Sequence, residues 1–129
     1  KNFSFRDGAV RSTFEFLYNL NEESWIGIHL RASENPMLGS FLLYIRKNGS
    51  VELGRYPGPI IYSHKGNLTL GQRNNFLLEI ENDELQIEIN GEKVNFKGLE
   101  MQNPGSIWIS TWECQAKTEP VELINRDTK

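Results

Sequence analysis

Apolar and polar residues alternate along most of this chain, and no stretch sustains the roughly 3.6-residue period of a helix. Successive side chains of a strand point to opposite faces, so this alternation predicts strands with one greasy side each. The pattern is densest between Trp25 and Tyr56. Ile26, Ile28 and Leu30 alternate there with Trp25, Gly27, His29 and Arg31. Phe41, Leu43 and Ile45 alternate with Leu42, Tyr44 and Arg46, and Val51 and Leu53 with Glu52 and Gly54. The greasy sides of these three strands need a second sheet to cover them. The other sides gather Trp25, Tyr44, His29, Arg31, Arg46 and Glu52, where a strand that needed only solubility would carry Lys, Glu and Thr.

The same alternation recurs on both flanks. Ser12, Phe14, Phe16 and Tyr18 stand against Arg11, Thr13 and Glu15, and Phe76, Leu78 and Ile80 against Leu77, Glu79 and Glu81. Leu85, Ile87 and Ile89 oppose Gln86, Glu88 and Asn90; Ile107 and Ile109 oppose Trp108 and Ser110; Val121 and Leu123 flank Glu122. Asn48-Gly49 and Asn90-Gly91 each sit between two such runs, a strong hairpin signal. Pro57-Gly58-Pro59 interrupts the sheet and leaves Ile60–Tyr62 as a short edge strand. Short strands punctuated by turns predict an all-β fold, a two-sheet antiparallel jelly-roll sandwich. Its expected core is Phe14, Phe16, Ile28, Leu30, Leu43, Ile45, Leu78, Ile80, Ile87, Ile89, Ile107 and Ile109.

A length of 129 residues, 38% hydrophobic and 24% charged, fits one domain spanning 1–129 with a real core. The net charge of -3 and the absence of a basic cluster speak against nucleic acid as a partner. The single cysteine, Cys114, rules out an intramolecular disulfide and a cysteine-based metal site. Cysteine usage fits the cytosol and a bacterial secreted module equally. No apolar run approaches the roughly 18 residues of a membrane span. The sequence opens at Lys1 without Met or a signal peptide, which suggests a module of a larger protein with flanking domains. The triplets that begin at Asn2, Asn48 and Asn67 match the glycosylation pattern at a frequency near chance.

Candidate chemistry narrows quickly. His29 and His64, the two histidines, lie in different elements with no carboxylate set at metal-ligand spacing. Asp7, Asp83 and Asp127 are loop candidates for a structural calcium, but no calcium-loop motif joins them, so no cofactor is expected. Glycosidase chemistry needs two carboxylates facing across a cleft. Glu52, Glu79, Glu81 and Glu88 read more simply as a solvated face, and Asn82-Asp83 as a turn. No nucleophile elbow is present. The chain is not expected to be an enzyme.

The order of pieces resembles a known superfamily. An aromatic-rich strand leads to Trp25-x-Gly27-x-x-x-Arg31, then to the hairpin that ends NGSVELGRY. Asn74-x-Phe76-x-Leu78-x-Ile80 and Leu85-x-Ile87-x-Ile89-Asn90-Gly91-Glu92-x-Val94 follow, and Pro104-Gly105-Ser106-Ile107-Trp108-Ile109 leads to Val121-Glu122-Leu123-Ile124-Asn125. From about Val10 to Asn125 this is similar to the concanavalin A-like, or laminin G-like, β-sandwich superfamily. Within it the nearest likeness is to family 66 carbohydrate-binding modules and to the domains once grouped as 3-keto-disaccharide hydrolases. The resemblance implies a lectin-like accessory domain with a sugar on the concave sheet face or its rim, and an arginine at the place of Arg31 as a sugar contact. Such a role leans toward an extracellular or cell-surface setting.

A glycan partner needs rigid donors and acceptors at adjacent hydroxyls and an aromatic surface against its C–H side. The expected ligand-binding set is Arg31, His29, Tyr44, Glu52 and Arg46 on one face, with Trp112 stacking from a loop after the last core strand. Arg31 is expected to be exposed, so that its loss would abolish binding without unfolding the chain. The plainer alternative is a solvated face whose Arg–Glu pairs contribute a few tenths of a kcal/mol. Two other functions compete: a protein-interaction or structural laminin G-like domain, and an enzyme of the keto-disaccharide hydrolase type.

Overall fold

A computed structural model describes residues 7–19, 22–32, 40–98, 106–112, 114–118 and 121–126. Every regular element in them is a strand: β1 (Gly8–Asn19), β2 (Trp25–Ala32), β3 (Ser40–Arg46), β4 (Val51–Tyr56), β5 (Ile60–His64), β6 (Asn74–Glu81), β7 (Glu84–Ile89), β8 (Glu92–Lys97), β9 (Ser106–Trp112), β10 (Cys114–Thr118) and β11 (Glu122–Asn125). They form two antiparallel sheets. One has the order β5-β4-β3-β2-β9; the other runs β10-β1-β6-β7-β8, with β11 also paired to β1. The all-β, two-sheet sandwich expected from the alternation is the observed architecture.

The core lies where that alternation puts it. Ile26, Ile28, Leu30, Phe41, Leu43, Ile45, Val51 and Leu53 of one sheet meet Val10, Phe14, Phe76, Leu78, Ile80, Leu85, Ile87, Ile89, Val94 and Phe96 of the other. Leu78 sits opposite Ile87 and Phe76 opposite Ile89, so neighbouring strands present their large side chains to the same gap. Full burial of each such side chain contributes about 1.5–3 kcal/mol. Phe16 is only partly buried and packs on the rim of this cluster.

Two expectations need correction. Ile109 pairs with Ile28 and has core-side parity, yet it is 36% exposed because β9 is the outer strand of its sheet. The side chain of Ile107 lies outside the described residues. Trp112 belongs to β9 itself rather than to a loop, and only residue 113 separates it from β10. At that corner the chain passes directly from one sheet to the other. Outside the strands, Leu68 plugs into the core from the segment between β5 and β6, and Leu70 packs against it.

Candidate functional site

Register assembles the mixed side of the five-stranded sheet rung by rung. Trp25 lies opposite Arg46, Gly27 opposite Tyr44 and His29 opposite Leu42, while Tyr44 lies opposite Glu52 on the next strand. On the other flank Trp25, Gly27 and His29 face Trp112, Ser110 and Trp108 of β9. His29, Tyr44, Arg46 and Glu52 therefore share one side, as expected. Trp112 has the register to join them, but its side chain lies outside the described residues.

This side is built more tightly than a solvated face. Its centre is buried, with Ser40, Leu42, Tyr44 and His29 all nearly inaccessible. The two ring nitrogens of His29 are both engaged: Nδ1 lies 2.9 Å from Ser40 Oγ and Nε2 3.3 Å from Ser110 Oγ. A neutral imidazole fits this arrangement by donating through one nitrogen and accepting through the other. Burial disfavours the charged ring and lowers its pKa from the ordinary value.

At the other end of the face, Tyr44 meets Trp25 edge-on at 4.8 Å and 84°. Arg46 lies over the Tyr44 ring, with Cζ 5.5 Å from its centre. Its Nε and Nη2 donate to Glu52 Oε1 at 3.0 and 2.8 Å, and its Nη1 donates to the Glu23 carbonyl at 2.7 Å. The guanidinium is thus fixed by a carboxylate, a backbone oxygen and a ring. Arg46 and Glu52 keep 17% and 23% of their side chains exposed, so this end, unlike the centre, can be reached from solvent.

Arg31 does not join the set. The β2–β9 register shifts between His29 and Ala32, and Arg31 adopts a φ of 52°, a left-handed conformation uncommon for a residue with a side chain. That irregularity breaks the parity linking it to His29. Its Nη2 instead donates to the Asn82 carbonyl at 2.7 Å and lies 3.4 Å from Asp7 Oδ1. Asp7 Oδ1 also accepts the Asn82 N–H at 2.9 Å. The three residues tie β2 to the other sheet, and the Arg31 side chain is only 1% exposed. The exposed arginine expected from sequence is a buried inter-sheet contact.

Trp25 stands where the alternation puts it, and its environment marks it further. Gly27 has no Cβ, and one placed there would lie 2.6 Å from Trp25 Cζ3, 3.0 Å from its Cε3 and 2.8 Å from Leu42 Cδ1. The benzo ring of the indole therefore rests on the Gly27 backbone. Trp25-x-Gly27 is the sequence signal for this arrangement, because only glycine leaves the space.

Other candidates lie elsewhere. His64 lines an open cleft of about 340 Å³ with Asn67, Leu68, Glu92 and Lys93, between the outer strands β5 and β8. Glu79, Glu81 and Glu84 line a shallow depression with Gln86 on β6 and β7, in the sheet opposite Glu52. Among the described residues no group of three or more His, Cys, Asp and Glu is placed to hold a metal. Asp7 serves the Arg31 contact, Asp83 occupies the β6–β7 turn, and Asp127 lies outside the described residues.

The fold is that of known sugar-binding proteins. The chain superimposes on the carbohydrate-binding module CBM66 from Bacillus subtilis with a TM-score of 0.80 at 14% identity, covering 95% of this chain and 78% of that one. The galectin-1-L2 of Dario rerio gives a TM-score of 0.68 at 13% identity, covering 95% and 96% of the two chains. Lactose- and MES-liganded congerin II gives 0.64 at 17% identity with the same coverages. No protein-family model matches the sequence, and no curated protein matches it.

Proposed function

We propose that this chain is a non-catalytic carbohydrate-binding module that takes a glycan on the mixed side of its five-stranded sheet. The observation that carries this reading is the fixed polar and aromatic surface of that side. Arg46 is held by Glu52, by the Glu23 carbonyl and by the Tyr44 ring, next to Trp25. Groups held in one geometry lose little freedom when a ligand arrives, which is the main way to bind a well-hydrated molecule such as a sugar. The same fold in CBM66 and in a lactose-liganded congerin supports the choice of ligand.

The non-catalytic part rests on where the carboxylates stand. Glu52 is neutralised by Arg46, whereas Glu79, Glu81 and Glu84 belong to the other sheet, so they do not face Glu52 across one cleft. A glycan array probed with the whole chain tests the reading. Retention of a defined group of glycans, released intact, is the expected result. A blank array would remove the sugar reading in favour of a protein-interaction domain, and cleavage of a retained glycan would make the chain an enzyme.

A further inference from the structure

We infer that the ligand is a neutral pyranoside seated at the Trp25–Arg46–Glu52 end of the face, its C–H side on the Trp25 indole and its adjacent hydroxyls on the Arg46–Glu52 pair. This inference rests on the sugar-binding reading and narrows it to particular atoms and a class of sugar.

The first support is the Trp25 ring. It lies on the bare backbone of Gly27 and meets the Tyr44 ring in a T-shaped pair, centroids 4.8 Å apart. These contacts fix the ring while leaving the residue partly exposed. A flat aromatic surface suits a pyranose, which carries a run of C–H groups on one side; the smaller, puckered furanose ring offers less of one. Aromatic rings bury a large area in return for few rotatable bonds, so a platform held in advance binds efficiently.

The second support is the way Arg46 and Glu52 meet. The two bonds from the guanidinium to the carboxylate both end on Oε1, at 3.0 and 2.8 Å. Oε2 accepts no hydrogen bond from the described residues. A guanidinium has five N–H groups. Three of those on Arg46 are used by Glu52 and Glu23, which leaves an N–H on each of Nη1 and Nη2. An open carboxylate oxygen beside open N–H groups matches a vicinal diol: one hydroxyl donates to Oε2 while its neighbour accepts from the guanidinium. Register brings the two halves together, because Trp25 lies directly opposite Arg46.

The third support is charge. Arg46 and Glu52 already neutralise each other at 2.8 Å, so this pair offers no net positive charge to a carboxylate or sulfate on a sugar. An anionic group at the diol position would meet Oε2 itself. His29 and Arg31 are not contacts here; one is enclosed between two serines and the other is turned into the sheet-to-sheet contact.

Isothermal titration of the whole chain tests this. The neutral probes are lactose, maltose and cellobiose, and the acidic ones are glucuronate- and galacturonate-containing disaccharides. At least one neutral probe should bind about tenfold more tightly than its acidic counterpart, and Trp25→Ala and Glu52→Gln should each weaken it about tenfold. Trp25→Phe should keep part of the affinity, which separates the loss of a platform from the loss of the fold. Gly27→Ala should destabilise the native chain and do so much less in a Trp25→Ala background, because the ring it displaces is then gone. Preference for an acidic probe would overturn the neutral class. Wild-type affinity in both Trp25→Ala and Glu52→Gln would overturn the placement while leaving the sugar-binding reading intact, and would direct attention to the cleft at His64. Failure of every glycan on the array and every probe would remove the two readings together.

Discussion

Two arginines in adjacent strands of one sheet, Arg31 and Arg46, both pair with a carboxylate, and the pairs serve opposite ends. Arg31 bonds Asp7 and the Asn82 carbonyl of the other layer and is almost fully buried. Arg46 bonds Glu52 within its own sheet and stays in reach of solvent. The first pair links strands that are remote in sequence and spans the sandwich. The second organises a surface. An arginine–carboxylate pair is therefore not itself a sign of either stability or binding. What decides is whether both partners belong to one sheet or to two, and how much water reaches them.

The largest expected effect comes from breaking the buried member. Arg31→Ala leaves Asp7 and the Asn82 carbonyl without their shared donor, and should cost about 3 kcal/mol. Urea unfolding with an unchanged m-value would measure it; a loss below about 0.5 kcal/mol would make the two arginines equivalent. Acid gives a smaller effect. Burial holds the folded-state pKa of His29 below the ordinary value. The unfolded chain therefore takes up the proton first, and unfolding gains from acid. The contribution of His29 is complete above its unfolded pKa of about 6.5 and declines as the pH falls through that value. It levels off once the pH is below the lowered folded pKa. The melting temperature should fall across this window in the native chain and more shallowly in His29→Gln. The smallest effect belongs to Arg46→Ala, which should cost less than about 1 kcal/mol and diminish further in high salt. If Arg46→Ala unfolds the chain as readily as Arg31→Ala, the surface pair is structural and the proposed site loses its centre.

These contrasts also show what the sequence can and cannot reveal. Parity places Ile28, Leu43 and Ile87 in the core correctly, because regular pairing preserves it over whole strands. It also puts His29, Tyr44, Arg46 and Glu52 on one side. It fails at Arg31, where an irregularity with a φ of 52° reverses the expected direction and no glycine or proline announces it. At Ile109 the parity holds but the burial does not, because burial there depends on which strand ends the sheet, a matter of strand order rather than local pattern. Cys114–Thr118 lacks alternating large apolar residues, and its strand character comes from pairing with β1, where Ala116 meets Phe16. The seat of Trp25 was legible in principle, since a tryptophan two residues before a glycine is what an indole lying on the backbone requires.

The two Asn-Gly turns should age differently. Succinimide formation at an asparagine needs its side-chain carbon to swing onto the nitrogen of the following glycine. At Asn90 that swing is opposed: Oδ1 accepts from Asn75 N–H at 2.9 Å, and Nδ2 donates to Asn74 Oδ1 at 2.9 Å and to the Thr69 carbonyl at 3.4 Å. Asn48 is exposed and is held by the Ser50 N–H at 2.9 Å. Peptide mapping of stored protein should find deamidation at Asn48 well before Asn90. The lesion would fall on the turn that joins β3 to β4, two residues from Arg46, and would add a negative charge there. A preparation could thus lose affinity on the shelf while its fold, and the Asn90 turn in the opposite sheet, stayed sound.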